Sequence, residues 1–445
     1  MDGASEGRAG VFGVRDSGAR VRGCPARRSL YDGRAMKFHA ATLFAAALLT
    51  GLPLTAADWP QWRGADRAGH SPDASILTAW PKGGPKRVWM FKDAGLGYSG
   101  FSVVGNQLFT MGARKGSEQA ICLDATTGKE LWAANLGPVY DNNWGNGPRS
   151  TPTVDGSHVF AVSGTGILAC LNAKDGKEVW KVDLVKDLGG ELQGWGYTES
   201  VLVDGDQVVC TPGGQKGTMA ALDKATGKVR WQTSGLKVPA QYSSAIRIEV
   251  GGQPQYVQLL MNKVVGVAPK DGAVLWETSF PGRVAVIPTP VYHNGHVYVT
   301  AGYGVGCQMI KLGGSEPEVV YEEKAITNHH GGVVVVDGKI YGHSDKGGWT
   351  CQDFMTGKID WQNESLGKGA CTYVAGHLVC VDENDGTVAL AKVGPDGWSE
   401  QGRFKLDPQT KIRKKDGRVW THPVVVNGRL YLRDQDLIYC YDVKK

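Results

Sequence analysis

Arginine, histidine, glutamate and aromatic residues cluster in a few short segments of this 445-residue chain. They are Asn146-Gly147-Pro148-Arg149, Trp195-Gly196-Tyr197-Thr198-Glu199, Gln241-Tyr242, Asn328-His329-His330 and Trp420-Thr421-His422. Arg149 has the planar fork that clamps carboxylate or phosphate, and the histidines could ligate a metal. Trp195, Tyr197, Tyr242 and Trp420 offer flat faces on which a sugar ring could stack. Glu199 and Asp141 are acids that could reach a calcium ion, but no set of oxygen ligands is legible around them. Neighbouring residues on a strand point to opposite faces, which argues against one shared ligand for His329 and His330. No metal site is assigned. The same side chains could equally serve loop backbones and trapped water, so a ligand pocket and an internal polar network both stay open.

Several familiar chemistries have no motif. Gly302-Tyr-Gly304-Val-Gly306 lacks the helix that a dinucleotide fingerprint needs, and neither Gly-x-Ser-x-Gly nor His-Glu-x-x-His occurs. Lys411-Ile-Arg413-Lys414-Lys415-Asp-Gly-Arg418 reads as a solvated basic loop.

The elements that must carry these segments are repeats. Cys122-Leu-Asp124-Ala-Thr-Thr127-Gly128-Lys-Glu-Leu-Trp132 recurs at Cys170–Trp180, Ala221–Trp231, Gly266–Trp276 and Cys351–Trp361. Each copy has a small residue, then Asp, Asn or Ala, then Thr-Gly or Asp-Gly, then Trp at constant offsets. The polar side chain caps its own turn and the glycine supplies a positive φ that closes a hairpin. The small residue suits a tightly packed strand face, and the indole is placed to cover a small-residue face of the next unit. Upstream lie hairpins such as Val154-Asp155-Gly156 and Val426-Asn427-Gly428.

Each unit therefore reads as a four-stranded antiparallel sheet. Eight units start near Ser99, Ser150, Glu199, Ser243, Thr289, His330, Ala370 and Thr421. Two are degenerate, 289–322 (with Tyr321 in place of Trp) and 370–406. The last supplies only three strands, and Arg87-Val88-Trp89-Met90-Phe91 is expected to return as its fourth, closing the ring and removing exposed edges. The expectation is an all-β, eight-bladed β-propeller over residues 86–445, with seven blades the structural rival. Trp89, Trp132, Trp180, Trp231, Trp276 and Trp361 are its docking residues. On this reading the polar and aromatic segments converge on one channel mouth.

Composition agrees. Glycine is abundant, 63 residues, and 14 Trp accompany 42% hydrophobic residues, which excludes disorder and collagen. Of 49 Lys and Arg and 44 Asp and Glu, residues 1–57 hold eight and four, leaving 41 against 40. A nearly neutral body gives no case for nucleic acid. Met36-Lys-Phe-His39, an apolar run from Ala40 to Leu54 and Thr55-Ala-Ala57 read as a signal peptide over 36–57, cleaved near Ala57. The run is too short to span a membrane comfortably, and no cysteine follows it for a lipid anchor. A periplasmic or secreted, monomeric protein is expected. Residues 1–35 read as a leader upstream of the true start, and 58–85 as an N-terminal extension.

The small-x-Asp-x-x-Thr-Gly-x-x-x-Trp pattern resembles the docking motif of the pyrroloquinoline quinone (PQQ) repeat family, over essentially residues 86–443. Asp58-Trp-Pro-Gln-Trp-Arg-Gly64, Asn328-His-His-Gly-Gly332 and Leu432-Arg-Asp-Gln-Asp436 are similar to exported bacterial members of the planctomycete type. The resemblance implies one of two branches: quinoprotein alcohol dehydrogenases, which bind PQQ with calcium, or non-catalytic envelope propellers such as BamB. The first branch often clamps its cofactor with a disulfide between adjacent cysteines. None of the nine cysteines here adjoins another, and no Cys-x-x-Cys-His is present for haem c. Cys122, Cys170, Cys351 and Cys440 instead occupy the repeat position that Ala221 and Gly266 fill elsewhere, which favours buried thiols. The expected role is a BamB-like binding or scaffold module with an envelope protein or small molecule as partner. A PQQ-dependent alcohol or sugar dehydrogenase is the alternative, and a carbohydrate binder a third reading.

Overall fold

The computed structural model describes residues 57–445. The proposed leader 1–35 and the signal segment up to Ala56 lie outside the described residues. Alternating apolar runs separated by Asp-Gly and Asn-Gly turns fold into eight four-stranded antiparallel sheets, arranged as an eight-bladed β-propeller. The first blade comprises Ser102–Val104, Gln107–Arg114, Ser117–Asp124 and Glu130–Pro138. The last comprises Val424–Val426, Arg429–Asp434 and Leu437–Asp442, completed on its outer edge by Lys86–Phe91. That outer strand pairs antiparallel with Leu437–Asp442, Trp89 opposite Cys440, so the two ends of the propeller share one sheet. No helix among the described residues is long and apolar enough to cross a membrane.

The repeat turns build themselves locally. Asp124 Oδ1 accepts hydrogen bonds from Thr126 N, Thr127 N and Thr127 Oγ1, and Gly128 follows at φ 73°. Asp223 with Thr226, and Asp353 with Thr356, repeat the arrangement. The small residue of each repeat lies directly across the strand pair from its own blade's Trp, as Cys122 from Trp132 and Cys170 from Trp180, and a bulge follows it. The surface that receives each indole is therefore not this position, as the pattern suggests, but the Thr-Gly or Asp-Gly turn of the next blade. Trp132 Nε1 donates to Ala173 O (3.0 Å), Trp180 to Lys224 O (2.9 Å) and Trp231 to Pro269 O (2.9 Å). Trp89 donates to Ala125 O (3.0 Å) across the closure, and Trp361 to Gly394 O (2.9 Å). Tyr321 stands in for Trp, its hydroxyl donating to Phe354 O (2.9 Å).

Trp276 departs from the expected docking. The following blade, Val291–Glu323, has Leu312-Gly-Gly-Ser-Glu-Pro317 where a Thr-Gly turn should be. With no turn to receive it, the indole folds back over Gly266 of its own blade and donates to Gln255 Oε1 (2.7 Å). The rim there opens into a cleft of about 860 Å³.

The turn glycines explain why the docking pattern tolerates so little variation. A Cβ on Gly176 would stand 2.5 Å from the ring of Trp132, at φ 72°, whereas one on Gly156, also at positive φ, would meet nothing within 4 Å. Gly176→Ala is thus expected to cost about 3 kcal/mol and Gly156→Ala only about 1 kcal/mol, read as urea-unfolding midpoints. Equal losses would mean that backbone strain, not indole docking, sets the glycine requirement.

All eight described cysteines are buried free thiols. Burial pushes Cys122, Cys170, Cys351 and Cys440 up to about 12, which makes them packing residues.

Candidate functional site

The extension before the propeller has a structural role that sequence reading missed. Residues 59–71 hydrogen-bond to the inner strand, or its lead-in, of every blade. Trp59 exchanges backbone bonds with Val103, Pro60 O accepts from Val154 N, and Ser71 N donates to Tyr373 O. Arg67 donates to Ser200 O (2.7 Å), Val201 O (2.6 Å) and Ala245 O. Trp62 Nε1 donates to Thr289 Oγ1 (2.8 Å), Arg63 to Val333 O, and Ser71 Oγ to Val425 O. Carbonyls facing a propeller channel lack ladder partners, and two buried guanidiniums supply donors to them. The segment is a plug across the channel.

Beside the plug lies a cavity of about 430 Å³. Its wall is built from the lead-ins to the inner strands, where the chain enters each sheet with no ladder to fix its side chains. Arg149, Trp195, Tyr242, His329, His330, Trp420 and His422 all line it. Tyr197 and Glu199 do not. The Tyr197 hydroxyl donates to Pro212 O (2.7 Å), and the Glu199 carboxylate accepts from Thr211 N (2.6 Å) and Thr211 Oγ1 (2.8 Å). Both are fully committed to holding a loop of their own blade. Lining residues that the sequence did not single out include Trp62, Trp144, Ser200, Ser244, Thr289 and Tyr303. Trp62 comes from the plug, and its ring packs on His422 at 4.6 Å between centroids.

Arg149 is held in place by its own loop and by two rings, with two of its five N–H groups on backbone carbonyls. It donates to Gly147 O (2.6 Å) and Gly145 O (2.7 Å) and lies over the rings of Tyr98 and Tyr140, 5.6 and 5.0 Å from their centroids. Burial lowers it from its ordinary value, while the rings and the buried Glu118 favour its charge. Asp141, on the same loop, is exposed and paired with Lys414 (3.0 Å), whose hydrogen bond holds it below the usual carboxylate range. The basic loop is therefore pinned across the mouth by Lys414 and by Arg413, which bonds Asp434 (2.7 Å).

The two adjacent histidines sit in the bend before the strand Val333–Val336, not on a strand, so both face the pocket instead of opposite sides, but their partners differ. The Lys368 ammonium lies 2.8 Å from His329 Nδ1, and since an ammonium only donates, Nδ1 accepts and Nε2 carries the hydrogen. That hydrogen points at the Tyr303 hydroxyl (2.7 Å), while Asp345 holds Lys368 from behind (2.6 Å). Burial, with His330 and Lys368 adding to it, drops His329 to about 3. His330 Nε2 lies 2.7 Å from Glu383 Oε2, which also accepts from Trp420 Nε1 (3.1 Å). Burial raises the Glu383 carboxyl, but the contact with His330 together with the charges of His330, Lys368 and His329 outweighs it and the carboxyl sits low. His422 donates from Nε2 to His330 O (2.8 Å), and burial beside Arg63 takes it to about 3.

Burial pushes Glu199 up to about 7, against the pull of its Thr211 bonds and of Arg67. The folded state holds this proton more tightly than the unfolded chain, so its contribution is complete below about 4.5 and lost as pH rises through 7. Wild type should lose about 3 kcal/mol more than Glu199→Gln across that window, measured by urea unfolding at a series of pH values.

The geometry defines a class: an all-β propeller with a plugged channel and a blind, aromatic-walled pocket at one mouth. Residues 95–363, more than half of the chain, match the family described as outer membrane protein assembly factor BamB, and the chain belongs to that family. The BamB of Yersinia pestis is 24% identical over 335 residues, which is 73% of this chain and 68% of that one. Among solved structures, BamB from Moraxella catarrhalis superposes with TM-score 0.58 at 16% identity, covering 80% of this chain and 99% of that one. Quinohemoprotein alcohol dehydrogenase ADHIIG from Pseudomonas putida HK5 superposes with TM-score 0.60 at 12% identity, covering 87% and 80%. At such identities these likenesses concern the fold.

The second fold relative makes PQQ with calcium a group to test against the residues present. Calcium takes six to eight oxygens, with carboxylates among them. No Asp or Glu lines the pocket, and among the described residues no group of three or more His, Cys, Asp and Glu is placed to hold a metal. A tricarboxylated quinone also needs several cationic donors, and Arg149, with two of its N–H groups on backbone carbonyls, is the one Lys or Arg in the lining. The pocket does not fit PQQ with calcium.

Proposed function

We propose that this chain is an exported binding and scaffold module of the cell envelope, of the BamB kind, addressed by a signal segment over 36–57 and working through the propeller of residues 86–445. It acts through its surfaces and its channel-mouth pocket and performs no quinone chemistry. The observation that carries this reading is the pocket wall, which has aromatic rings and hydroxyls but no carboxylate to seat a calcium ion. A propeller can host either role, so the site decides.

Reconstitution tests it. The purified protein is incubated with PQQ and calcium, then assayed with alcohols and sugars and an artificial electron acceptor. No stoichiometric cofactor uptake and no dye reduction are expected. Uptake with dye reduction that is lost in Arg149→Ala and His422→Ala overturns the reading. Pull-down from envelope extracts should recover a reproducible protein partner if scaffolding is part of the role, and its absence would confine the role to the pocket.

A further inference from the structure

We infer that the channel-mouth pocket is a site for a neutral sugar of one or two pyranose rings; the inference rests on the reading of the protein as a binding module. Three features of the wall converge on that chemistry.

The first is a set of hydroxyls each already accepting a hydrogen bond from the protein. Ser200 Oγ accepts from Thr151 N (2.8 Å), Ser244 Oγ from Ser200 N (3.0 Å) and Thr289 Oγ1 from the Trp62 indole (2.8 Å). Tyr242 accepts from Trp195 N (3.4 Å) and Tyr303 from His329 Nε2 (2.7 Å). None of the five donates to a protein acceptor among the described residues, and all five line the cavity. Each therefore has an O–H that no protein acceptor takes, free to turn toward a ligand. An apolar ligand would leave these donors unpaired, at about 1–3 kcal/mol for each that it cuts off from water, which favours an occupant that presents acceptors such as hydroxyl and ring oxygens.

The second is charge. No carboxylate lines the wall, His330 is paired with Glu383, and Arg149 holds two backbone carbonyls with two of its five N–H groups. A cationic ligand would enter without a counter-charge, which is costly in a partly closed site. The one arginine of the wall can donate to a neutral hydroxyl as well as to an anion, a choice the gluconate arm below decides. The third is shape and surface. Trp62, Tyr98, Trp144, Trp195 and Trp420 surround the space with ring faces and edges. A pyranose has an apolar C–H face that stacks on such rings and a hydroxylated edge that meets the hydroxyls. A space of about 430 Å³ suits one or two rings.

The test is titration of the purified full chain with cellobiose, maltose and diacetylchitobiose, with gluconate as an anionic probe and menadione as a flat neutral quinone. Tryptophan fluorescence and calorimetry are the readouts. At least one saccharide should bind with Kd of roughly 10 µM to 1 mM, and gluconate and menadione at least about tenfold more weakly. Trp144, 44% exposed at the lip, is safe to truncate; Trp144→Ala should lower affinity about tenfold with circular dichroism and melting unchanged. Ser244→Ala and Tyr303→Phe should lower it several-fold. No saccharide binding, or preference for gluconate or menadione, overturns the inference. Absence of sugar binding together with absence of dye reduction would sink the sugar and leave the binding-module reading standing; dye reduction would sink that reading itself.

Discussion

Arg433→Met should lower the stability of the folded chain by about 4 kcal/mol and shift the urea midpoint accordingly. Arg433 is 1% exposed, in the second strand of the last blade. Its guanidinium donates to Gln435 O (2.8 Å) in its own turn, and then crosses to the other end of the chain. There it reaches Met111 O (2.6 Å), Thr110 Oγ1 (3.1 Å), Ser99 O (3.2 Å) and Gly95 O (3.2 Å). Burial lowers it to about 10, with Asp436, Asp434 and Tyr98 supporting the charge, so it stays protonated at neutral pH. The apolar isostere fills the volume but leaves several carbonyls without this donor, each worth about 1–3 kcal/mol if it finds no water. The contacts join the last blade to the first, beside the sheet whose only closure is the hydrogen-bonded pairing of Lys86–Phe91 with Leu437–Asp442. A loss under about 1 kcal/mol would show that strand pairing by Lys86–Phe91 closes the propeller unaided.

Acid should destabilise the protein through the pocket histidines. Their folded-state values near 3 lie below the ordinary 6.5, so the unfolded chain takes up the proton more readily. The stability they contribute is present above about 6.5 and is lost as pH falls toward 3. At pH 4 the loss is about 3 kcal/mol for each, with full burial making His422 the firmer case. The cause is specific. A proton on His422 would put a second cation beside Arg63 in a desolvated site, and a proton on His329 would have to displace the Lys368 ammonium from Nδ1. His422→Gln keeps a donor near His330 O and cannot titrate. Its stability should fall less steeply between pH 6.5 and 4, by about 1.4 kcal/mol per pH unit. Identical slopes would show that His422 does not set the acid limit. This window is the mirror of the Glu199 window, where stability is lost as pH rises through 7.

Much of this architecture is legible without coordinates because its determinants are local or periodic. The turn at Asp124–Gly128 needs only its own side chains, and strand alternation needs only neighbours two residues apart. Eight starts read from such signals coincide with eight sheets, and the Trp89 strand closes the last one. Docking was legible where both partners carry the repeat. Trp276 escaped because its behaviour depends on what the next blade lacks, the turn replaced by Leu312–Pro317.

The site was legible by location and only in part by residue. Arg149, Trp195, Tyr242, His329, His330, Trp420 and His422 meet at one mouth, while Tyr197 and Glu199, in the same segment as Trp195, turn away. Lead-in loops have no period, so nothing in the sequence tells which side chains face inward. Packing against neighbouring blades decides it. The plug was invisible for the same reason, since Trp62 finds its partner at a hydroxyl, and Arg63 and Arg67 theirs at carbonyls, more than a hundred residues away. The amino-acid sequence alone thus determined the blades, their number and the closed ring, through turn chemistry and strand alternation. Only the tertiary structure decided that the channel is stoppered, which groups line the pocket, and that no acid is among them. Those outcomes depend on unpaired carbonyls and empty space that exist only once the blades are assembled.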